Sequence, residues 1–471
     1  MPKESRLKPS QIAKSKQQDG ELIPPPPDRP QQCHFWVARK RRYCSLPAKR
    51  TNKYCGEHLH LQQQEENSNS PTDKKRVPCP YDPSHTVYEK DLENHMKTRC
   101  NSRPRDPEAY YSLNINCTVP LSEEEIEFQK NIHSHKKLHS QPWIARVQLG
   151  QLPKAELDEL IAKVTTAYDQ ENPQIEKTIL TQEAVERRRS ALKQTKHLDQ
   201  QSSLLGHMEK ANMLSDSSAC FIEFGAGKGE LSEYVKSAVQ EKDGEATYVL
   251  VDRKTVRNKS DSVLLGLSKT KSTVQRVTID IKDLELSKVQ ALTTEDGKRK
   301  KVVAFSKHLC GSATDITLKC IMNYVEEQTK AGNSNPIAGI IIALCCHQLC
   351  RYEMYPNTKF LEKHRLDSKN FARLCKMSSW AICGRRNAAG STDSDDHAQS
   401  AVQEEEDKDE TTNHYSGLNH KEREAIGYKC KRFLDIGRMR YLEEHNFKVD
   451  LVYYVDPATS LENCALIAVP K

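Results

Sequence analysis

The stretch FIEFGAGKGELS (residues 221–232) decides the fold. An apolar run ends in the carboxylate of Glu223 and passes into a turn with alternating glycines, Gly225, Gly227 and Gly229, ahead of a helix-forming segment. Glycine lets the backbone take conformations closed to other residues and pass close to a ligand, and amides at a helix start point outward toward that ligand. The same rhythm of apolar run and amphipathic segment repeats downstream. CFIEF (220–224), TYVLVD (247–252), VQRVTID (274–280), KVVAFS (301–306) and GIIIAL (339–344) read as strands, which predicts a parallel, doubly wound α/β sheet. KEREAIGYKCKRFLDIGRMRYLEEH follows as a helix, and KVDLVYYV and NCALIAV as a closing antiparallel hairpin.

Three ligands compete for the glycine turn. A phosphate-binding loop needs G-x4-G-K-[ST], which is absent. A dinucleotide fingerprint needs G-x-G-x-x-G, and here the third glycine comes one residue early. The E-x-G-x-G-x-G form that remains is typical of S-adenosylmethionine (SAM) enzymes. Glu223 is then expected near the cationic methionine end of the ligand, and Asp252, closing TYVLVD, at the ribose hydroxyls. Asp280, or Asp283 just beyond it, is expected at the adenine amino group. Acidic strand ends in that order fit a ligand lying across the carboxyl edge of a sheet. The expected fold is thus a Rossmann-like class I SAM-dependent methyltransferase sheet, preceded by two small zinc fingers and a helical arm.

Around that sheet the 471 residues leave room for smaller modules. The expected organisation is a disordered, Pro-rich lead over 1–30, a Cys/His module over 31–60 and a second over 76–102. A helical arm over 118–212 and the sheet domain over 213–471 complete it, with a disordered acidic insertion at 387–418. Residues 391–412 hold nine acidic residues against one Lys, so a formal +7 for the chain leaves the remainder at +15. A body that basic favours a polyanionic partner. No apolar run approaches a membrane span and no apolar core follows the basic N-terminus, so the expected compartments are nucleus and cytoplasm. The 16 cysteines are then expected as thiols or metal ligands.

Cys33, Cys44, Cys55 and His58 form a C-x10-C-x10-C-x2-H array, with His60 a rival for the fourth place. Cys79, His85, His95 and Cys100 form a C-x5-H-x9-H-x4-C array, its last two members on a predicted helix about one turn apart. Four ligands of these types give closed, structural zinc sites, and segments this poor in apolar residues need the metal to fold. The basic, aromatic HFWVARKRRYC (34–44) supplies Lys40, Arg41 and Arg42 for phosphates and Trp36 or Tyr43 for stacking. Two structural zinc ions per chain are expected.

The first array resembles the CCCH finger of a eukaryotic tRNA methyltransferase family, and the second the CHHC finger found there and in RNA-associated proteins of the minor spliceosome. KHLDQQSSLLGHME (196–209), FSKHLCGSATDI (305–316), ALCCHQLCRY (343–352), REAIGYKCKRFLDIGRMRYL (423–442) and SLENCALIA (460–468) resemble motifs of the tRNA:m4X modification enzymes of that family. The resemblance implies methyl transfer from SAM to a ribose 2′-hydroxyl at position 4 of the acceptor stem, on tRNA-Gly, tRNA-Pro and tRNA-His type substrates. The alternative is a zinc-finger RNA-binding or splicing-associated protein with an inactive methyltransferase-like domain.

Candidate catalytic groups follow the fourth and fifth strands: Lys307 and His308 after VVAFS, Cys346 and His347 after GIIIAL. Glu462, on the hairpin, is a further candidate, while the Lys-Asp-Lys-Glu tetrad of many ribose methyltransferases lacks its usual Asp here. His197 either caps the cofactor pocket or ends a helix. Lys431, Arg432 and Arg438 lie near helical spacing and are read as phosphate holders or as a solvated helix face. Cys345 and Cys346 are neighbours at a strand end, so their side chains are expected on opposite faces and not around one ion.

Overall fold

The computed structural model describes residues 16–18, 21–26, 31–37, 42–49, 52–55, 58, 76–100, 108–121, 123, 125–126, 147–189, 195–239, 246–253, 272–382 and 414–471. The chain divides into two compact units, Met1–Asp106 and Pro107–Lys471.

The second unit is built on an eight-stranded sheet. Its strands are β1 (Glu176–Lys177), β2 (Cys220–Phe224), β3 (Thr247–Asp252), β4 (Thr273–Thr278), β5 (Val302–Cys310), β6 (Ile337–Cys345), β7 (Phe447–Tyr453) and β8 (Cys464–Pro470). They lie in the order β4-β3-β2-β5-β6-β8-β7-β1. β4, β3, β2, β5 and β6 are parallel, β8 is antiparallel to both β6 and β7, and β1 runs parallel to β7. The sheet is mixed, as the five parallel runs and the closing hairpin predict.

The inner strands are apolar throughout because both faces are covered. Along β2, Cys220, Ile222 and Phe224 enter one core and Phe221 the other, the two-residue alternation of a strand. Helix α4 (Ser312–Lys330) packs Leu318 and Ile321 on the first face. Helices α2 (Lys196–Lys210) and α3 (Glu230–Val239) pack Leu204, Leu205, Leu231 and Val235 on the second. A third core joins α1 (Lys154–Glu171), α5 (Ser368–Ser378) and the long α6 (His420–Glu444) through Leu160, Leu374 and Phe433. Helix α6 begins in a reciprocal cap between Asn419 and Glu422.

Several expectations shift. The arm expected to be helical over 118–212 also contains the strand β1 and a short helix, Glu183–Glu186, ahead of α2. Asn172, left-handed at φ 40°, ends α1, and Pro173 follows it. Strand β5 continues four residues beyond its expected end. Ser306 pairs with Ile342 and Leu309 with Leu344, so Lys307 and His308 together face Ala343 in a bulge. Of the expected insertion, residues 387–413 lie outside the described residues, while 414–418 form a turn in which Ser416 is buried and His414 meets the Trp380 ring edge-on.

Ahead of the sheet, a strap over residues 110–119 is laced to the segment after β4. The Asn116 amide donates to the Ile281 and Leu284 carbonyls at 2.6 and 2.8 Å, and Thr118 N donates to Glu353 O at 2.9 Å.

Candidate active site and zinc centres

Because β2 to β6 run parallel, their carboxyl ends share one edge. The turn after β2 holds Gly225, Gly227 and Gly229 at φ 68°, 49° and 85°, all left-handed and costly for any other residue. A Cβ on Gly225 would lie 3.1 Å from the His308 carbonyl, whereas one on Gly227 would meet nothing within 4 Å. The turn therefore sits tight against β5 and leaves open space above Gly227. Asp252, closing β3, accepts from Gly227 N at 2.8 Å, and Arg276 of β4 donates to the Gly227 and Lys228 carbonyls at 2.9 and 3.2 Å. Arg276 was not anticipated, because one basic residue in a strand carries no pattern.

Glu223 is buried and accepts from the Ser232 amide and hydroxyl at the start of α3. Burial pushes its carboxyl up to about 7 against the pull of those hydrogen bonds. Asp280 accepts from Lys282 N at 3.1 Å, a turn cap. Asp283, its rival for a ligand contact, is engaged elsewhere: it accepts from Asn114 N at 2.7 Å and from the Lys282 ammonium at 2.7 Å. The candidate series along the edge is thus Glu223, Asp252 and Asp280, with the open glycine turn between the first two. Asp252 and Asp280 are the strand-end carboxylates nearest the open side of this turn and the residues that could hold a cofactor there.

The β5 bulge turns Lys307 inward. Its Nζ lies 3.0 Å from His197 Nδ1 on α2, and burial lowers its pKa to about 8. His308 stands edge-on to His197 with ring centroids 6.2 Å apart; the surrounding protein, then the Lys307 charge, lowers its imidazole to about 4 although the residue reaches solvent.

After β6 the chain turns sharply. Cys346 is left-handed at φ 51°, and the turn His347–Leu349 packs on Gly311, where a Cβ would come within 2.5 Å of the Leu349 backbone. His347 is fully buried. Its Nε2 lies 2.7 Å from Asp435 Oδ1, and its Nδ1 has no hydrogen-bond partner among the described residues. Burial lowers the imidazole pKa, offset in part by Asp435. Burial alone would raise the Asp435 carboxyl, yet the charges of His347, Arg432 and Arg438 hold it well below the usual range.

Asp435 explains the basic residues of α6, and corrects their reading. Arg438 is 0% exposed and donates to Asp315 at 2.8 Å and Asp435 at 3.0 Å, so it neither lies on a solvated face nor reaches an outside phosphate. Arg432 is likewise buried, 3.0 Å from Asp435. Lys431 is buried and paired with Glu462 on the approach to β8, and the charges of Lys431 and Arg432 hold that carboxylate low against the burial that would raise it. The three residues form the interior electrostatic frame of the site. Cys350 belongs to it too, accepting from Arg438 at 3.0 Å.

The two Cys expected on opposite faces converge. Register pairs Cys310 with Cys345, the left-handed Cys346 breaks the strand alternation, and the three sulfurs of Cys310, Cys345 and Cys346 lie within 4.8 Å of one another. A cavity of about 840 Å³ opens at the opposite edge of the sheet, among Lys301, Ile337 and Lys448, away from these groups.

In the first unit, Cys33, Cys44, Cys55 and His58 bring their ligand atoms within 4.8 Å, with His58 Nδ1 3.5 Å from Cys33 Sγ and 3.3 Å from Cys55 Sγ. Such a donor set fits a tetrahedral zinc ion. His60, Lys40 and Arg41 lie outside the described residues, and Arg42 is exposed on a two-residue strand that pairs Trp36 with Tyr43. Cys79, His95 and Cys100 gather in the same way, and Cys100 N bonds the His95 carbonyl across a π-type turn rather than the expected α-turn. His85 lies on the strand Asp82–Tyr88, its side chain outside the described residues.

An α/β methyltransferase carrying two zinc-finger modules is the class to which these features lead. A family model described as "Methyltransferase TRM13" matches residues 199–469. Models for the "CCCH zinc finger in TRM13 protein" and the "U11-48K-like CHHC zinc finger" match residues 31–59 and 76–101. The chain belongs to the TRM13 methyltransferase family. It is 32% identical to the tRNA:m(4)X modification enzyme TRM13 homologs of Mus musculus and Homo sapiens, covering 93% of this chain and 94% and 95% of theirs. It is 31% identical to the Saccharomyces cerevisiae enzyme, over 93% of this chain and 96% of that one. No solved structure matches.

Proposed function

We propose that this chain is a SAM-dependent tRNA methyltransferase that methylates a ribose 2′-hydroxyl at position 4 of the acceptor stem. The observation that carries the reading is the left-handed glycine turn after β2, held by Asp252 and followed along one strand-end edge by Asp280. The strand order, in which a reversed hairpin closes five parallel strands, supports a class I methyltransferase sheet. The relatives' names, which say that they modify tRNA, support the substrate.

Asp252 and Asp280 would hold SAM, which supplies an electrophilic methyl group on sulfonium. The protein's work is then to align the hydroxyl and to take its proton. His347, 0% exposed and fixed by Asp435 through Nε2, would hold the turn after β6 in place, and His308, which reaches solvent beside Lys307 and His197, is the proton acceptor we favour. Lys307, beside His197, and Glu462, held by the buried Lys431, bound the same edge and would orient the ribose. The fingers, each with its zinc ion, and Arg42 with Lys40 and Arg41 would engage RNA phosphates.

Purified protein incubated with methyl-labelled SAM and total tRNA, followed by nuclease mapping, tests the reading. Label at the 2′-oxygen of nucleotide 4 is expected. Label on a base or on protein sinks it, and failure to bind SAM in isothermal titration favours an RNA-binding protein with an idle domain.

A further inference from the structure

We propose that Cys310, Cys345 and Cys346 form a third zinc site, at the strand-end edge of the sheet. Among the described residues three sets of ligand atoms gather within 4.8 Å of one another: the two finger sets and this one. Zinc–thiolate bonds of about 2.3 Å at tetrahedral angles place ligand sulfurs roughly 3.8 Å apart. The spacings here lie on either side of that value: Cys346 Sγ is 3.3 Å from Cys310 Sγ, and all three sulfurs lie within 4.8 Å of one another.

The backbone is arranged for it. Strand register sets Cys310 opposite Cys345 on adjacent strands. The next residue would ordinarily send its side chain to the other face, but Cys346 takes a left-handed conformation uncommon for a non-glycine residue. That costly local geometry returns a third sulfur to the same side, and strain of this kind persists where the surroundings require it. Gly311 accepts the close approach of Leu349, which holds the turn in place.

Three soft donors select a d10 cation, and zinc is the available one. Cys345 and Cys346 are buried while Cys310 is exposed, so the fourth coordination position opens to solvent and is filled by water or an added ligand. The site is independent of the methyl-transfer reading, and its test does not use activity.

Zinc content of the full chain, purified from zinc-supplemented cells, is counted by native mass spectrometry. Three ions per chain are expected, two in Cys310→Ser, two in Cys33→Ser and one in the double variant. Cys310 reaches solvent, so its replacement should leave the fold itself intact, with an unchanged far-UV circular dichroism spectrum at about 20 °C. Cys346→Ala, expected to hold two ions, gives a second reading at a buried member. Two ions in the unaltered chain, or a count that neither strand-end variant lowers, overturns the proposal.

Discussion

The first finger and the sheet unit reach order by opposite routes. The buried residues of the finger's cluster are Cys33, Cys44 and Cys55, with Phe35, Val37 and Tyr54 only partly covered. The sheet unit buries continuous apolar strands on both faces, and its interior also holds a set of ion pairs around Asp435. A finger is thus a ligand set with little core, and the sheet a core that can carry buried charge. The lesson is that removing a cation should be ruinous in one and graded in the other.

The sharpest way to break this contrast is to remove metal. Chelation should forfeit a binding energy of about 10–16 kcal/mol in each finger and unfold it. Limited proteolysis should then cut within residues 31–100 while 272–382 and 414–471 resist; equal sensitivity of both regions would erase the distinction.

Next in size is Arg438→Ala, which strands Asp315 without its counter-charge and leaves Asp435 with Arg432 alone. A loss of about 3–5 kcal/mol in urea unfolding is expected. A loss near zero would mean that the buried network holds no charge balance.

Smaller effects belong to the glycine turn. Gly225→Ala should cost about 1–2 kcal/mol through its left-handed φ alone, plus the push against the His308 carbonyl. Gly227→Ala carries only the first of these, so a larger loss at Gly227 would contradict the tight approach at Gly225. By the SAM reading, titration should show the ligand's affinity falling in both variants.

The smallest expected effect is a pH slope. The folded pKa of Lys307, about 8, lies below the ordinary lysine value of 10.5, so between these the unfolded chain binds more protons and stability rises with pH. Lys307→Met should remove that rise from a series of urea melts between pH 8 and 10.5, and an unchanged slope would place the ammonium in water.

The α/β class, the parallel runs and the hairpin were legible because each inner strand is a short apolar run broken by glycine or charge. Spacing made legible the three cysteines of the first finger array, with His58 and His60 left as rivals, and Cys79, His95 and Cys100 of the second. What stayed hidden depended on partners far along the chain. Asp435 looks like one more acid on a helix until His347, 88 residues away, reaches it. Arg438 carries the same helical spacing whether it faces water or Asp315. The convergence of Cys345 and Cys346 was missed because alternation holds only while the backbone stays extended, and nothing local to Cys346 announces a left-handed turn. Strand β1 escaped because two charged residues make no strand pattern and owe their pairing to β7.

That short strand has a consequence for how the protein behaves when concentrated. The outer margin of β7 would present unsatisfied amides and carbonyls to a neighbouring molecule. Glu176 and Lys177 occupy it at Val452 and Tyr453, both are exposed, and Lys177 is tied to Asp456. Two opposite charges on a strand too brief to template another chain act as a guard against strand-to-strand aggregation, achieved with two residues of the segment that leads into the sheet.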